Sequence, residues 1–319
     1  MASAPLTTGL RRALSGVGAA GPGRPPRQTG NKRPSRALTM LVLVAPSVIL
    51  LVLINGYPLV YAAGQSLHKG SLIITGEFVG LANYTDVLTR PAFWKAAWFT
   101  LVFTLVGVFG SWLVGMALAL LLRAKIPAGG IFKVLLMLPW VIPIVVSSTA
   151  WNWLVATPDS PVPRVARSLG FGDLLFLADP TLAAITVCVF KVWVSFPFMM
   201  LMTSAALASV DHNVYEAADM DGATRWQTFT RITLPMISRS TYISWILMTI
   251  FCVNDFPTIY LLTGGGPVNA TTSLVVLAYR TVFQDFQTGP GVAIAFIMTL
   301  ALVVISTALY RQIRKGETA

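Results

Sequence analysis

Apolar residues fall into six long runs, at 38–63, 97–122, 132–155, 181–206, 240–263 and 290–310, separated by polar stretches. Each run holds about 20 residues or more, enough for a helix rising about 1.5 Å per residue to cross a hydrocarbon core of about 30 Å. Only helices and closed barrels satisfy every backbone hydrogen bond inside lipid. The pattern therefore predicts an all-α membrane protein of six transmembrane helices. Residues 1–37 are rich in Gly, Pro, Ser and Arg and read as a disordered basic tail. A signal peptide is not expected, because the apolar run that follows is too long for a cleavable segment. Residues 38–315 then form the membrane domain, interrupted by a polar loop at 207–238.

The core of that loop, 213–235, is a mixed-charge island between two apolar runs. Its residues predict two short helices. Asn213 is expected to cap the first, with Glu216 three residues on closing a capping box. Ala217 and Ala218 favour helix, and Gly222 suits the left-handed turn that ends one. The second helix is expected over 224–232, with Pro235 stopping further winding. The product is a helix-turn-helix knob that offers small alanines where a partner approaches closely.

Composition agrees with a membrane location: 55% of residues are hydrophobic and 11% charged. The net charge of +11 raises the question of nucleic acid, but the placement of the cations answers it. With the N-terminus inside, the inner segments hold sixteen Lys and Arg and the outer loops six, and Lys191 lies within a run. That bias predicts cytoplasmic termini and a cytoplasmic 213–235 island, and it leaves no motive for nucleic-acid binding. The outer loops look structured. Residues 64–96 carry Phe78 and Trp94, with Trp98 just beyond, suited to the membrane interface. Residues 156–180 carry Pro158, Pro161, Pro163 and Gly170, and 264–288 open on Gly264-Gly265-Gly266-Pro267. These turn-forming stretches are suited to face an extracytoplasmic partner.

Catalytic chemistry is missing from the sequence. There is no G-x-x-x-x-G-K phosphate loop. The two histidines, His68 and His212, have no metal-ligand spacing, and no nucleophile–base arrangement stands out. Cys188 and Cys252 lie in apolar runs and read as reduced packing residues. The chain is therefore not expected to be an enzyme or to hold a cofactor. Its energy comes from a partner or an ion gradient.

Charged residues inside spans are costly and mark functional positions. Lys191 is about 15 Å from the outer end of the fourth run and Asp255 about 12 Å from that of the fifth, at about 1.5 Å per residue. Two readings stay open. The pair meets or faces one polar cavity, or Lys191 snorkels outward while Asp255 caps a broken helix end near Pro257. On the fifth run Met248, Phe251, Cys252 and Asp255 follow a 3-4-3 spacing that predicts one helix face. On the fourth, Val194, Ser195 and Phe198 form a similar group beside Pro197. Such faces suit either helix packing or a sugar, whose ring has apolar faces and polar edges.

A resemblance narrows these readings. Glu216-Ala217-Ala218, then Gly222, then Ile232-Thr233-Leu234-Pro235 is similar to the EAA loop of ATP-binding-cassette importer permeases. FKVWVSFPFMMLM ahead of the island resembles carbohydrate permeases of the maltose and glycerol-phosphate type, as does NDFPTIYLLTGGGPVNATTSLVV after it. The likeness covers about 180–310 in detail and the six-span layout over 38–310. It implies that Glu216, Ala217, Ala218, Asp221, Gly222, Leu234 and Pro235 couple the chain to an ATPase. It further implies a substrate pathway at Val194, Ser195, Phe198, Met248, Phe251, Cys252 and Asp255. Lys191 joins that set as the buried charge, and Trp140 as a further contact. Cys252 and Asp255 depart from the maltose permease, so the implied sugar need not be maltose. That permease also has additional N-terminal spans and a large outer domain, and this chain resembles the compact form.

The implied assembly has a second related permease and two cytoplasmic ATPase subunits that bind ATP and magnesium. An extracytoplasmic sugar-binding lipoprotein completes it, all within a lipid bilayer. The LLTGGGP stretch is similar to the first of the two permeases, and overall likeness is to that of actinobacterial trehalose importers. The competing classes are an ion-coupled carrier using Lys191 or Asp255, and a permease for phosphate, amino acids or polyamines.

Overall fold

The computed structural model describes residues 36–123, 127 and 129–315. The basic tail expected at 1–37 lies outside the described residues up to Arg36, where the first helix begins. The chain divides into two compact units, one ending at Gly56 and one beginning at Tyr57. The described part of the first is α1 (Arg36–Leu51) followed by a π-helical turn, Val52–Gly56. From Met40 on, its side chains are apolar except Ser47 and Asn55, and none is buried.

The second unit opens with α2 (Tyr57–Ser66) and an antiparallel pair of short strands, β1 (His68–Gly70) and β2 (Thr75–Phe78). Then come α3 (Ala82–Thr89), α4 (Pro91–Leu105), a π-turn at Val106–Gly110 and α5 (Ser111–Leu121). They are followed by α6 (Gly129–Val141), α7 (Ile144–Val155), α8 (Pro161–Ser168) and α9 (Pro180–Ala208). The short α10 (His212–Met220) and α11 (Arg225–Thr228) precede α12 (Leu234–Val253) and α13 (Phe256–Thr263). The chain closes with α14 (Leu274–Phe283) and α15 (Thr288–Lys315).

Among the described residues five helices are long and apolar enough to span a membrane: Met40–Ser66, Pro91–Leu121, Pro180–Ala208, Arg225–Val253 and Thr288–Arg311. The third run, expected as one span at 132–155, is two helices, α6 and α7, that meet at 92°. Pro143 is the reason. It lacks an N–H, fixes its own φ at −53°, and disfavours helical backbone at Ile142.

The fifth span also departs from expectation. The sequence places it at 240–263, but the helix starts at Arg225 and ends at Val253. Pro235 does not stop the winding. It sits in the first turn of α12, and the π-turn Phe229–Thr233 just before it accommodates the missing donor. The apolar run beyond Val253 is a separate helix, α13, with Asp255 at its N-cap and Pro257 in its first turn.

Inside lipid, helices gain little from apolar burial and associate through close packing. Helix α5 lies against α9, and glycines permit the approach. A Cβ at Gly115 would stand 2.6 Å from the Met200 backbone nitrogen. One at Gly110 would stand 2.7 Å from a Val192 methyl. The main core brings Phe99, Phe103, Val187, Phe190, Met199, Met248, Cys252 and Ile259 together. A second joins α3, α4, α14 and α15 through Val87, Phe93, Leu274, Ala293, Ile294 and Met298.

Candidate functional site

Two groups of residues stand apart from ordinary helix packing: the polar knob at 211–233, and a mid-bundle cluster around Lys191.

In the knob, α10 is capped by Asp211, whose side chain accepts from the Asn213 N–H at 3.0 Å. The expectation that Asn213 caps this helix and Glu216 closes a capping box is therefore corrected. An Asp one residue before the helix outcompetes an Asn within its first turn, because the cap must precede the helical backbone. Glu216 is exposed, and its Oε1 lies 3.5 Å from His212 Nε2. The capping box belongs to the next helix: Thr224 accepts from the Gln227 N–H at 3.3 Å, and Gln227 Oε1 accepts from the Thr224 N–H at 2.8 Å.

Gly222 behaves as expected, with φ 74°. It closes a Schellman turn in which Ala223 N–H donates to the Ala218 carbonyl at 3.0 Å and Gly222 N–H to that of Asp219 at 3.1 Å. A Cβ there would meet nothing within 4 Å among the described residues. Ala217 and Asp221 are exposed, whereas Ala218 faces inward. Leu234 is half-buried and Pro235 exposed where the knob enters α12.

Three further features were not anticipated. Met220 and Trp226 flank the Gly222 turn and stand 88% and 71% exposed. Tyr215 lies under the Arg123 guanidinium, 4.2 Å from ring centroid to cation, which ties the knob to the chain end of α5. From α11 through the π-turn to α12 the backbone winds without interruption, so the α11 half of the knob extends the fifth span, while α10 is set off from it by the Gly222 turn. The T-x-x-Q of Thr224 and Gln227 was legible as a capping box; the exposure of Met220 and Trp226 had no one-dimensional signal.

The far end of that span carries the second group. Lys191, in the middle of α9, is buried, and its Nζ lies 2.6 Å from Asp255 Oδ2. The other carboxylate oxygen, Oδ1, accepts from the Thr258 N–H at 3.0 Å and caps α13. The two open readings for Asp255, ion pair and helix cap, are thus both realised, one by each oxygen. The Lys191 ammonium also lies 6.0 Å from the Phe103 ring centroid. Gly107 makes room for the arrangement: a Cβ there would stand 2.8 Å from Cys252 Sγ and 3.2 Å from Lys191 Cγ.

The face expected on the fifth span divides. Met248 and Cys252 point into the core, Phe251 is 44% exposed, and Asp255 lies beyond the helix end. Ser195 is fully buried, and among the described residues its hydroxyl has no hydrogen-bond partner. Val194 is half-buried against the core. The structure does bring Trp140, Phe198 and Phe251 together from three different elements. Trp140 stacks on Phe198 at 5.3 Å between centroids, and Phe251 stands edge-on to Phe198 at 5.8 Å. Trp140, 40% exposed, and Phe251 leave an accessible aromatic surface.

Comparison with known proteins adds to this geometry. A family model described as "Binding-protein-dependent transport system inner membrane component" matches residues 107–317. The chain is 34% identical over 279 residues to the sulfoquinovosyl glycerol transport system permease protein SmoG of Agrobacterium fabrum, covering 86% of this chain and 90% of that protein. It is 32% identical over 282 residues to the trehalose transport system permease protein SugA of Mycobacterium tuberculosis, covering 88% and 89%. A chain of a bacterial alginate ABC transporter, solved in complex with an alginate pentasaccharide-bound periplasmic protein, superposes with a TM-score of 0.75 at 20% identity. That match covers 88% of this chain and 95% of the other.

Proposed function

This chain belongs to the family of binding-protein-dependent transport system inner membrane components, and from that premise we propose that it is one permease half of an ATP-binding-cassette importer for a saccharide or glycoside. Trehalose is one member of that substrate class, as the SugA relative suggests. The chain itself hydrolyses nothing. ATP and magnesium bind two ATPase subunits on the cytoplasmic side, a second related permease supplies the other half of the pathway, and a soluble binding protein delivers the solute outside.

One observation carries this reading: α11, which follows the exposed Gly222 turn of the knob, is continuous through unbroken helix with the span whose opposite end adjoins the Lys191–Asp255 pair. A rigid helix transmits displacement along its axis. Movement of the knob with a nucleotide-driven subunit therefore reaches the break at Asn254–Asp255, where α13 turns away. Glu216, Ala217, Asp221 and Gly222 form the coupling surface, Met220 and Trp226 give it an apolar grip, and Ala218, Leu234 and Pro235 hold its base. Trp140, Phe198 and Phe251 form an aromatic platform that stacks on the apolar face of a sugar ring, with Val194 and Ser195 behind it. Lys191, Met248, Cys252 and Asp255 act beneath the platform as the structural core of the pathway wall.

The ion-coupled carrier loses its support, because the ammonium and carboxylate it needs are bonded to each other and the carboxylate also to Thr258. The positive-inside bias supports cytoplasmic termini in the cell membrane.

Solute uptake into proteoliposomes holding the whole importer is the test. Uptake should require ATP on the knob side and a solute-binding protein on the other, and it should persist when ion gradients are collapsed. An Ala217→Cys variant should cross-link to the ATPase subunit. ATP-independent uptake, or a knob that labels only from the binding-protein side, overturns the reading.

A further inference from the structure

Arg123, two residues beyond α5, lies between two cavities at the knob end of the bundle. The first has a volume of about 260 Å3 and lies among the ends of α5 and α9 and the start of α6. Leu122, Ser204 and Leu207 form part of its wall, and its charged groups are Arg123 and Lys133. Among the described residues no carboxylate lies within pairing distance of either cation. Two like charges facing one space repel, and the more so beside lipid, where the dielectric is low. An anion in the cavity removes that cost.

The surroundings indicate which anion. Leu121 at the end of α5 is an exposed apolar side chain, and so are Phe132 and Val134 on either side of Lys133. The two cations therefore stand where a lipid-facing surface gives way to water, the level of phospholipid phosphates. The space is also smaller than the roughly 300–1,000 Å3 of ordinary solute pockets.

The second cavity joins Arg123 to the knob, with Tyr215, Asp219 and Arg225 in its wall. Here the Arg123 guanidinium lies 4.2 Å from the Tyr215 ring centroid. Because the Gly222 turn sets α10 off from the fifth span, this contact is one of those that tie α10 to the bundle. A guanidinium stacks through its flat face and donates hydrogen bonds through its edge, so one arginine can serve a ring and a phosphate together.

We propose that the cavity between Arg123 and Lys133 binds the phosphate of an anionic phospholipid in the knob-side leaflet, and that this lipid tightens coupling by holding Arg123 over Tyr215. The coupling role rests on the importer reading above. An arginine held at its edge has fewer rotamers to lose, so the stack on the ring persists for longer. On that reading the site lies in the cytoplasmic leaflet, which is rich in anionic lipid.

The test uses the whole importer in membranes where phosphatidylglycerol replaces phosphatidylcholine stepwise. Native mass spectrometry counts bound phosphatidylglycerol, and transport assays give solute taken up per ATP hydrolysed. Arg123→Gln and Lys133→Gln should each raise the phosphatidylglycerol fraction needed for half-maximal coupling about fivefold. Each should also lower the bound-lipid count. Both residues are exposed, so neither change disturbs folding. Arg231→Gln removes an exposed cation outside the cavity and should change neither readout. Tyr215→Leu should keep the lipid but lose the gain in coupling, while Tyr215→Phe keeps both. Gln variants that match wild type in lipid count and coupling overturn the site, as does an Arg231→Gln effect of equal size, which would mean surface potential alone. If inorganic phosphate in pure phosphatidylcholine membranes reproduces the gain, the ligand is free phosphate and the lipid assignment is overturned. A Tyr215→Leu variant that still gains coupling overturns the tether. An absence of ATP-driven uptake in every lipid overturns the importer reading and the coupling role with it, while the bound-lipid count still decides the site.

Discussion

Lys191 Nζ lies 2.6 Å from Asp255 Oδ2, joining the middle of α9 to the break between α12 and α13. Because Asp255 Oδ1 also caps α13, one carboxylate fixes both the position of a neighbouring helix and the start of the next. Charges buried together are near energetic balance, whereas one left alone is not. The pair therefore specifies an arrangement more than it adds stability.

Asp255→Asn keeps an oxygen for the Thr258 N–H but strands Lys191. It should cost about 3–5 kcal/mol of stability. Asp255→Ala loses the cap as well and should cost about 1 kcal/mol more. Combining Lys191→Met with Asp255→Asn removes the orphan charge and should recover most of the loss without restoring transport. Thermal unfolding in detergent checks the ranking; an Asp255→Asn protein as stable as wild type contradicts it.

At Gly222 the space around the turn is open but the backbone is left-handed. Gly222→Leu should cost about 1–2 kcal/mol from that backbone alone, too little to keep the protein out of the membrane. It should nonetheless abolish ATP-driven uptake, because the bulk falls on the coupling surface. Gly222→Asn, which tolerates the turn, should keep more activity. Uptake measured against the amount of inserted permease separates the two effects.

Gly115 and Gly110 face α9 differently. A Cβ at 115 meets backbone atoms of Met199 and Met200, while one at 110 meets a valine methyl that can rotate away. Gly115→Ala should destabilise by about 1–3 kcal/mol and Gly110→Ala by less. Equal melting temperatures for the two variants would argue that α5 and α9 do not pack this tightly.

The aromatic platform predicts a graded response. Trp140→Ala and Phe251→Ala should each reduce uptake efficiency about tenfold, while Trp140→Phe, which keeps a stacking face, should lose much less. Initial uptake rates over a range of solute concentration measure this. Indifference to both alanine changes would move the pathway elsewhere.

Much of the architecture was legible along the chain. Hydropathy summed over about 20 residues is a local property, so five of the six spans and the polar island between the fourth and fifth could be read directly. The Gly222 turn was legible for the same reason, since it needs only a residue without a Cβ. Asp211 as cap and the interruption at Pro143 were also written locally, but each competed with a plausible neighbour, Asn213 in one case and an unbroken apolar run in the other.

What the order of residues determined was thus where helices exist and which stretch is polar, because lipid imposes that constraint on each segment separately. Tertiary packing alone decided that residues 64 positions apart form one ion pair, that Phe251 turns outward while Met248 and Cys252 turn in, and that Trp140, Phe198 and Phe251 share a surface. These outcomes depend on how closely α5, α9 and α12 approach, which is set by glycines on one helix meeting side chains on another. No periodicity within a single segment contains that distance.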